Sequence, residues 1–125
     1  MVILADTSVW IGHLRSENSL FKSFLEDGVI VMHPCVRCEL ALGSMKNRLE
    51  ILRLLAALPQ SNIASEEEVL FAIEKKKLWG IGIGWVDVQL LAATRLTHNC
   101  SLWTLDGPLR KACEMAGAKL FHGPV

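Results

Sequence analysis

The stretch VILADTSVW, residues 2–10, runs four apolar side chains straight into a carboxylate and two hydroxyls before turning apolar again at Val9 and Trp10. A short, wholly apolar run reads as a strand of a parallel sheet covered on both faces, since a strand with one wet face would alternate. Asp6 then stands at the carboxyl end of that strand, the edge beyond which open parallel sheets bind ligands. Why so apolar a run should end in an acid is the question the rest of the sequence has to answer.

The pattern recurs. Val29 to Met32 follows Asp27-Gly28, and shorter candidate strands lie at Ser101 to Thr104 and Lys119 to Phe121, with the weakest at Asn62 to Ala64. Helical stripes lie between them. Leu20, Phe21, Phe24 and Leu25 make one, ended by Gly28, and Leu49, Leu52, Leu55 and Ala56 make another, stopped by Pro59. Ser65 with Glu68 three residues on forms a capping box, and the run Lys75-Lys76-Lys77 suits the negative end of that helix's dipole. Leu109, Ala112, Cys113 and Ala116 give a last stripe, with Pro108 in its first turn and Gly117 after its end. Strands alternating with helices predict an α/β fold, a three-layer α/β/α sandwich around a central parallel sheet of four or five strands. The sequence has no internal repeat and no linker, so one domain over residues 1–125 is expected.

A chain of 125 residues is long enough to bury a core without disulfides or metal staples. Lys plus Arg and Asp plus Glu each number 13, so no global excess of positive charge points to nucleic acid, and any basic patch must be local. No apolar stretch approaches the roughly 18 residues of a membrane span, and no basic segment precedes the first apolar run. The expectation is a soluble, cytoplasmic protein whose four cysteines, Cys35, Cys38, Cys100 and Cys113, are reduced thiols.

Four acids stand out. Asp6 and Asp106 each follow a strand, and if those strands are neighbours their carboxylates converge. Asp6, Asp87 and Asp106 also lie near predicted helix starts, where capping alone would explain an Asp. Glu39 resists that explanation. On a helix through Val36 to Leu42, steps of about 100° per residue set it between Val36, Leu40 and Leu42, within the apolar arc. A carboxylate so placed must neutralise, pair with a cation or coordinate a metal, and a buried salt bridge is the competing account. Asp87 shares a helix face with Leu90, Leu91 and Thr94. Acids aimed inward without a matching set of inward Arg or Lys suggest a hard divalent ion, Mg²⁺ or Mn²⁺. Such an ion can acidify a bound water and offset charge growing on a phosphate. Thr7, Ser8 and Thr104 are candidate supporting hydroxyls that orient the carboxylates.

The residues DTSVW (6–10), Glu39 in RCELALGS (37–44), Asp87 in GIGWVDVQLLAAT (82–94) and Asp106 in LWTLDGPLR (102–110) resemble the four acidic motifs of PIN-domain proteins, particularly the VapC-type toxins of bacterial toxin-antitoxin systems. The resemblance spans nearly the whole chain. It implies a metal-dependent endoribonuclease that cleaves RNA, forms a homodimer and is held inactive by a cognate antitoxin. The family's metal-binding and catalytic role would fall to Asp6, Glu39, Asp87 and Asp106. Many relatives carry a further acid two residues after the fourth; Gly107 and Pro108 follow Asp106 here, so a position for a second metal ion is not matched. The alternative is a catalytically inactive PIN-like module that binds protein or RNA, with its acids serving as caps or salt bridges.

Other motifs carry less. A lone Cys35-x-x-Cys38 lacks a second pair at matching spacing, which leaves ordinary helical cysteines as the better reading. Gly80, Gly82 and Gly84 follow a helix rather than a strand, so the dinucleotide fingerprint fails and a hinge beside Asp87 fits better. His13, His33, His98 and His122 have no ligand spacing. No GxSxG elbow is present. A phosphoacceptor receiver domain would need paired acids after the first strand, and a haloacid-dehalogenase-like phosphatase an acid where Ser8 stands. Arg37, Lys46, Arg48, Arg53 and Arg110 are candidate RNA contacts. Trp79 and Trp85 are the candidates for stacking bases, since Trp10 and Trp103 lie in apolar surroundings.

Overall fold

The computed structural model describes residues 1–123. Three strands form a parallel sheet in the order β2-β1-β3, with β1 at Val2–Ala5, β2 at Ile30–Val31 and β3 at Cys100–Trp103. The central strand sets Ile3 beside Ile30 on one flank and Ala5 beside Trp103 on the other. Ile3, Leu4 and Ala5 are all buried although successive side chains point to opposite faces, so both faces of the sheet are covered, as the unbroken apolar run requires.

Seven helices are present among the described residues: α1 (Thr7–Arg15), α2 (Ser19–Glu26), α3 (Pro34–Ala41), α4 (Arg48–Ala56), α5 (Glu66–Lys76), α6 (Trp85–Leu96) and α7 (Gly107–Ala116). Their starts follow local chemistry. The Asn18 side chain accepts from the Phe21 amide to begin α2. At α5, Ser65 and Glu68 exchange both bonds of the capping box. The start of α3 is less ordinary: His33 Nδ1 accepts from the Cys35 amide, and Pro34 supplies a first helical position that needs no donor. That bond requires His33 in its neutral form with the proton on Nε2, and burial lowers its pKa in the same sense. Gly117 ends α7 at φ 71°, in the left-handed region where a side chain would strain the backbone.

The sheet is narrower than the expected four or five strands. Lys119 to Phe121 is reduced to one parallel bridge between Leu102 and Leu120. The strand placed at Asn62 to Ala64 does not form, and the sheet edge there is one bridge from Met32 to Gln60. Pro59 has no amide hydrogen to extend that ladder. Beyond it Asn62 turns away: its side chain donates to the Leu96 carbonyl at 2.6 Å and its amide to Thr97 Oγ1 at 2.9 Å, which binds the segment to the end of α6 rather than to β2.

The core gathers on Trp103 of β3. Phe21 of α2 lies edge-on to Trp10 of α1 at 4.7 Å and 5.7 Å from Trp103, while Phe121 meets Trp103 at 4.8 Å. Trp10 and Trp103 are buried, as their apolar neighbours predict. All four cysteines are free, and no helix of the described residues is long and apolar enough to cross a membrane. Because Phe21 is fully buried between two tryptophans, Phe21→Ala should destabilise the protein by about 3–5 kcal/mol. Urea unfolding followed by tryptophan fluorescence reads this directly, and a loss under about 1 kcal/mol would show that the cluster closes over the gap.

Candidate active site

Asp6 leaves the carboxyl end of β1 and opens α1, so its carboxylate sits at the sheet rim with its backbone still tied to β3 by the bond from its amide to the Trp103 carbonyl, 2.9 Å. The carboxylate is buried and accepts three hydrogen bonds. Oδ1 takes the Val9 amide at 3.1 Å and the Ser8 hydroxyl at 2.5 Å, and Oδ2 takes the Thr104 hydroxyl. Each hydroxyl has a second bond. Ser8 Oγ accepts from the Leu105 amide at 3.1 Å and Thr104 Oγ1 from the Asp106 amide at 3.0 Å. The turn after β3 is thus fastened to Asp6 through two side-chain oxygens.

These donors do not offset burial. The Asp6 carboxyl is pushed above its ordinary value, first by desolvation, against the lowering effect of Ser8, Thr104 and Val9; the negative charge of Asp87 raises it further. No cation answers this charge: the one ion pair among the described residues joins Lys22 to Glu17 on the exposed surface.

The other three acids reach the same rim by different routes. Asp106 caps α7, with Oδ2 accepting from the Leu109 amide at 3.0 Å. Asp87, in the first turn of α6, reaches back so that Oδ2 accepts from the Gly84 amide at 3.0 Å. Capping therefore holds for Asp6, Asp87 and Asp106, but it occupies one oxygen each of Asp87 and Asp106 and leaves Oδ1 of both without a hydrogen bond among the described residues. Glu39 Oε1 accepts from the Thr7 hydroxyl at 2.6 Å, joining α3 to the first turn of α1.

Glu39 does not face the core. The buried stripe of α3 is Val36 and Leu40, one helical turn apart, and Glu39 lies on its exposed flank. Leu42, used to draw the apolar arc, is 89% exposed because the helix ends before it. Glu39 is therefore an exposed carboxylate rather than a buried one, and the contact that restrains it is its bond from the Thr7 hydroxyl.

Among the described residues no three His, Cys, Asp or Glu side chains form a group close enough to hold an ion by themselves. The carboxylates and hydroxyls present are hard oxygen donors, of the kind a divalent cation such as Mg²⁺ or Mn²⁺ takes. Hard oxygens, an uncompensated buried charge and free carboxylate oxygens on the neighbouring acids all fit such an ion.

Sequence reasoning missed the amides of Leu105 and Gly84, which carry no side-chain signal. Arg110 reaches the rim, with Nη1 donating to the Thr104 carbonyl at 3.4 Å. Arg48 instead donates from Nε and Nη2 to the Ala41 carbonyl at the end of α3, at 3.1 and 2.5 Å, a structural task for a residue also considered for RNA contact. Trp79 and Trp85 are exposed.

The order of the four acids, their placement around one parallel sheet and the family model for the PIN domain agree, the last matching residues 3–115. The chain belongs to the PIN-domain family. It is 44% identical to Ribonuclease VapC32 of Mycobacterium tuberculosis, from strains CDC 1551 and H37Rv alike, over 119 residues that cover 95% of this chain and 96% of each relative.

In this PIN domain the raised pKa of Asp6 has a definite sign for stability. The folded state holds the Asp6 proton more tightly than the unfolded chain, so this group favours folding below its ordinary value of 3.8 and that contribution is lost as pH rises through the folded-state value. At neutral pH the ionised group opposes folding. Asp6→Asn should melt higher than the parent protein near pH 7, with the gap closing toward pH 4. A variant that melts lower at pH 7 would show that the hydrogen bonds outweigh the desolvation.

Proposed function

We propose that this PIN domain is a divalent-metal-dependent endoribonuclease acting as a toxin and inhibited by a cognate antitoxin. The observation that carries the reading is the buried Asp6 carboxylate, held by hydroxyl and amide donors with no cation, beside the charge of Asp87. Its near relatives bear the name ribonuclease and align over almost their whole length. We assign the metal, Mg²⁺ or Mn²⁺, to Asp6, Asp87, Asp106 and Glu39, with Thr7, Ser8 and Thr104 as supporting hydroxyls. The protein is taken to act in the cytoplasm as one domain per chain and as a homodimer.

A bound ion supplies a more acidic water and offsets the charge that grows on the phosphate under attack. The chain's own residues set the stage. Ser8 and Thr104 hold the two oxygens of Asp6 in fixed directions, so the carboxylate needs little rearrangement to receive a ligand. Thr7 restrains Glu39, which would otherwise swing freely on an exposed helix flank. Arg110, anchored at the Thr104 carbonyl, can contact a backbone phosphate, and Trp85 at the start of α6 offers a face for a base to stack on.

One observation favours a second reading, a catalytically inactive module that binds protein or RNA. Among the described residues no three acids are gathered closely enough to hold an ion without help, and three of the four cap helices. The two readings part on metal. The nuclease should degrade total cellular RNA with Mg²⁺ and stop with a chelator, while its melting temperature rises with the ion. Asp6→Asn should lower cleavage about a hundredfold or more while the fold persists. Thr104→Val should lower it about tenfold to a hundredfold. Metal-independent melting and no cleavage of RNA by the parent protein would favour the inactive module, and full activity of Asp6→Asn would overturn the role given to Asp6.

A further inference from the structure

Between α5 and α6 lies an open groove of about 550 Å³. Its floor is apolar, with Leu78, Val88 and Leu91 buried. Two large apolar side chains of its lining are exposed: Phe71 at 66% and Leu96 at 43%. A contiguous apolar surface of this kind is unusual on a chain that works alone.

The charges on α5 say what covers it. Glu67, Phe71 and Lys75 all line the groove and, four residues apart, form one ridge along the helix; Glu68, Ala72 and Lys76 form the next. Phe71 is the midpoint of Glu66–Lys76. Reversing the helix about Phe71 brings Glu67 onto the position of Lys75 and Glu66 onto that of Lys76. Along α5 the face is acidic at one end, basic at the other and aromatic in the middle, with Arg95 of α6 a further cation of the lining, so a copy of α5 turned through a two-fold axis is an electrostatic complement to it. Neither Glu67 nor Lys75 has an ion-pair partner among the described residues. Lys75 Nζ lies 5.7 Å from the centre of the Phe71 ring, which keeps the cation on the ridge. Glu74, the one charge of the helix that breaks the pattern, does not line the groove.

We propose that this groove is where a second copy of the chain docks, the two α5 helices crossing antiparallel about Phe71 so that Glu67 of each copy meets Lys75 of the other. Phe71 and the apolar floor form the dry centre and the charged ends form the rim, the usual anatomy of a specific interface. The inference rests on the homodimer reading given above and names its surface.

The test uses the purified full-length chain at low salt, in sedimentation runs over a range of concentrations. Glu67→Lys sets Lys against Lys75 of the partner subunit, twice in the dimer, and Lys75→Glu sets Glu against Glu67 twice. Each variant alone should weaken the dimer about tenfold or more. An equimolar mixture of the two variants should restore it, because only a mixed pair then places unlike charges at both ends. Residues 67 and 75 are two helical turns apart and cannot rescue one another within a chain. Both are exposed, so melting temperatures should stay near the parent's and separate lost pairing from lost folding.

A chain that stays monomeric at every concentration would overturn the homodimer reading and this surface with it. A dimer indifferent to both substitutions would leave the homodimer standing and overturn this surface. Loss in each variant without recovery on mixing would overturn the antiparallel geometry. If the parent dimer survives both substitutions while binding of the antitoxin is lost, the groove belongs to that partner and the proposal fails.

Discussion

A carboxylate taken out of water without a cation is the constraint around which the rest of this structure is organised. Asp6 is pinned by the Ser8 and Thr104 hydroxyls and the Val9 amide, yet its pKa still rises, so the donors nearby do less than solvent did. The same two hydroxyls accept from Leu105 and Asp106 and thereby fasten the start of α1 to the turn after β3. A group that opposes folding when ionised is thus also a joint between two segments about a hundred residues apart in sequence. Such a joint is hard to account for as architecture alone, because a neutral Asn could accept from Ser8 and Val9 and donate to Thr104 without the desolvation penalty of a charge.

The position of β1 at the centre of the sheet sets Asp6 between the segments that carry Glu39 and Asp106. Its neighbours β2 and β3 run parallel to it, so all three carboxyl ends open onto one rim: β2 leads into α3 and Glu39, β3 into α7 and Asp106. Asp87 arrives separately, on the first turn of α6, where the helix dipole favours an acid. Capping does not use up these acids. An Asp has two oxygens, and one satisfies an amide while the other stays available, as at Asp87 and Asp106.

A second organising feature lies on α5, away from the rim. There the ordinary preference for Glu at a helix start and Lys at its end does more than serve the dipole. With an exposed aromatic at the midpoint, the same arrangement makes a surface complementary to its own copy.

Much of this was legible from residue order. The apolar runs at Val2–Ala5 and Val29–Met32, the Ser65–Glu68 box and the Pro108 to Gly117 helix are local patterns whose causes act within a few residues, and each appears where its pattern lies. The edges of the sheet were not legible, because whether Asn62 joins β2 or binds the end of α6 depends on partners about 34 residues away. Glu39 shows the same limit. Periodicity set it facing inward, but a helix of eight residues has too few turns to hold a wide apolar arc, and its role comes from a Thr7 hydroxyl that only the folded chain brings near. The sequence alone determined which acids the protein possesses and which of them follow strands or open helices, since those are matters of neighbours along the chain. Only the tertiary structure decided that Asp6 loses its water, that Thr104 and Ser8 close around it and that no cation arrives, because burial and charge compensation are set by segments that meet in space rather than in order.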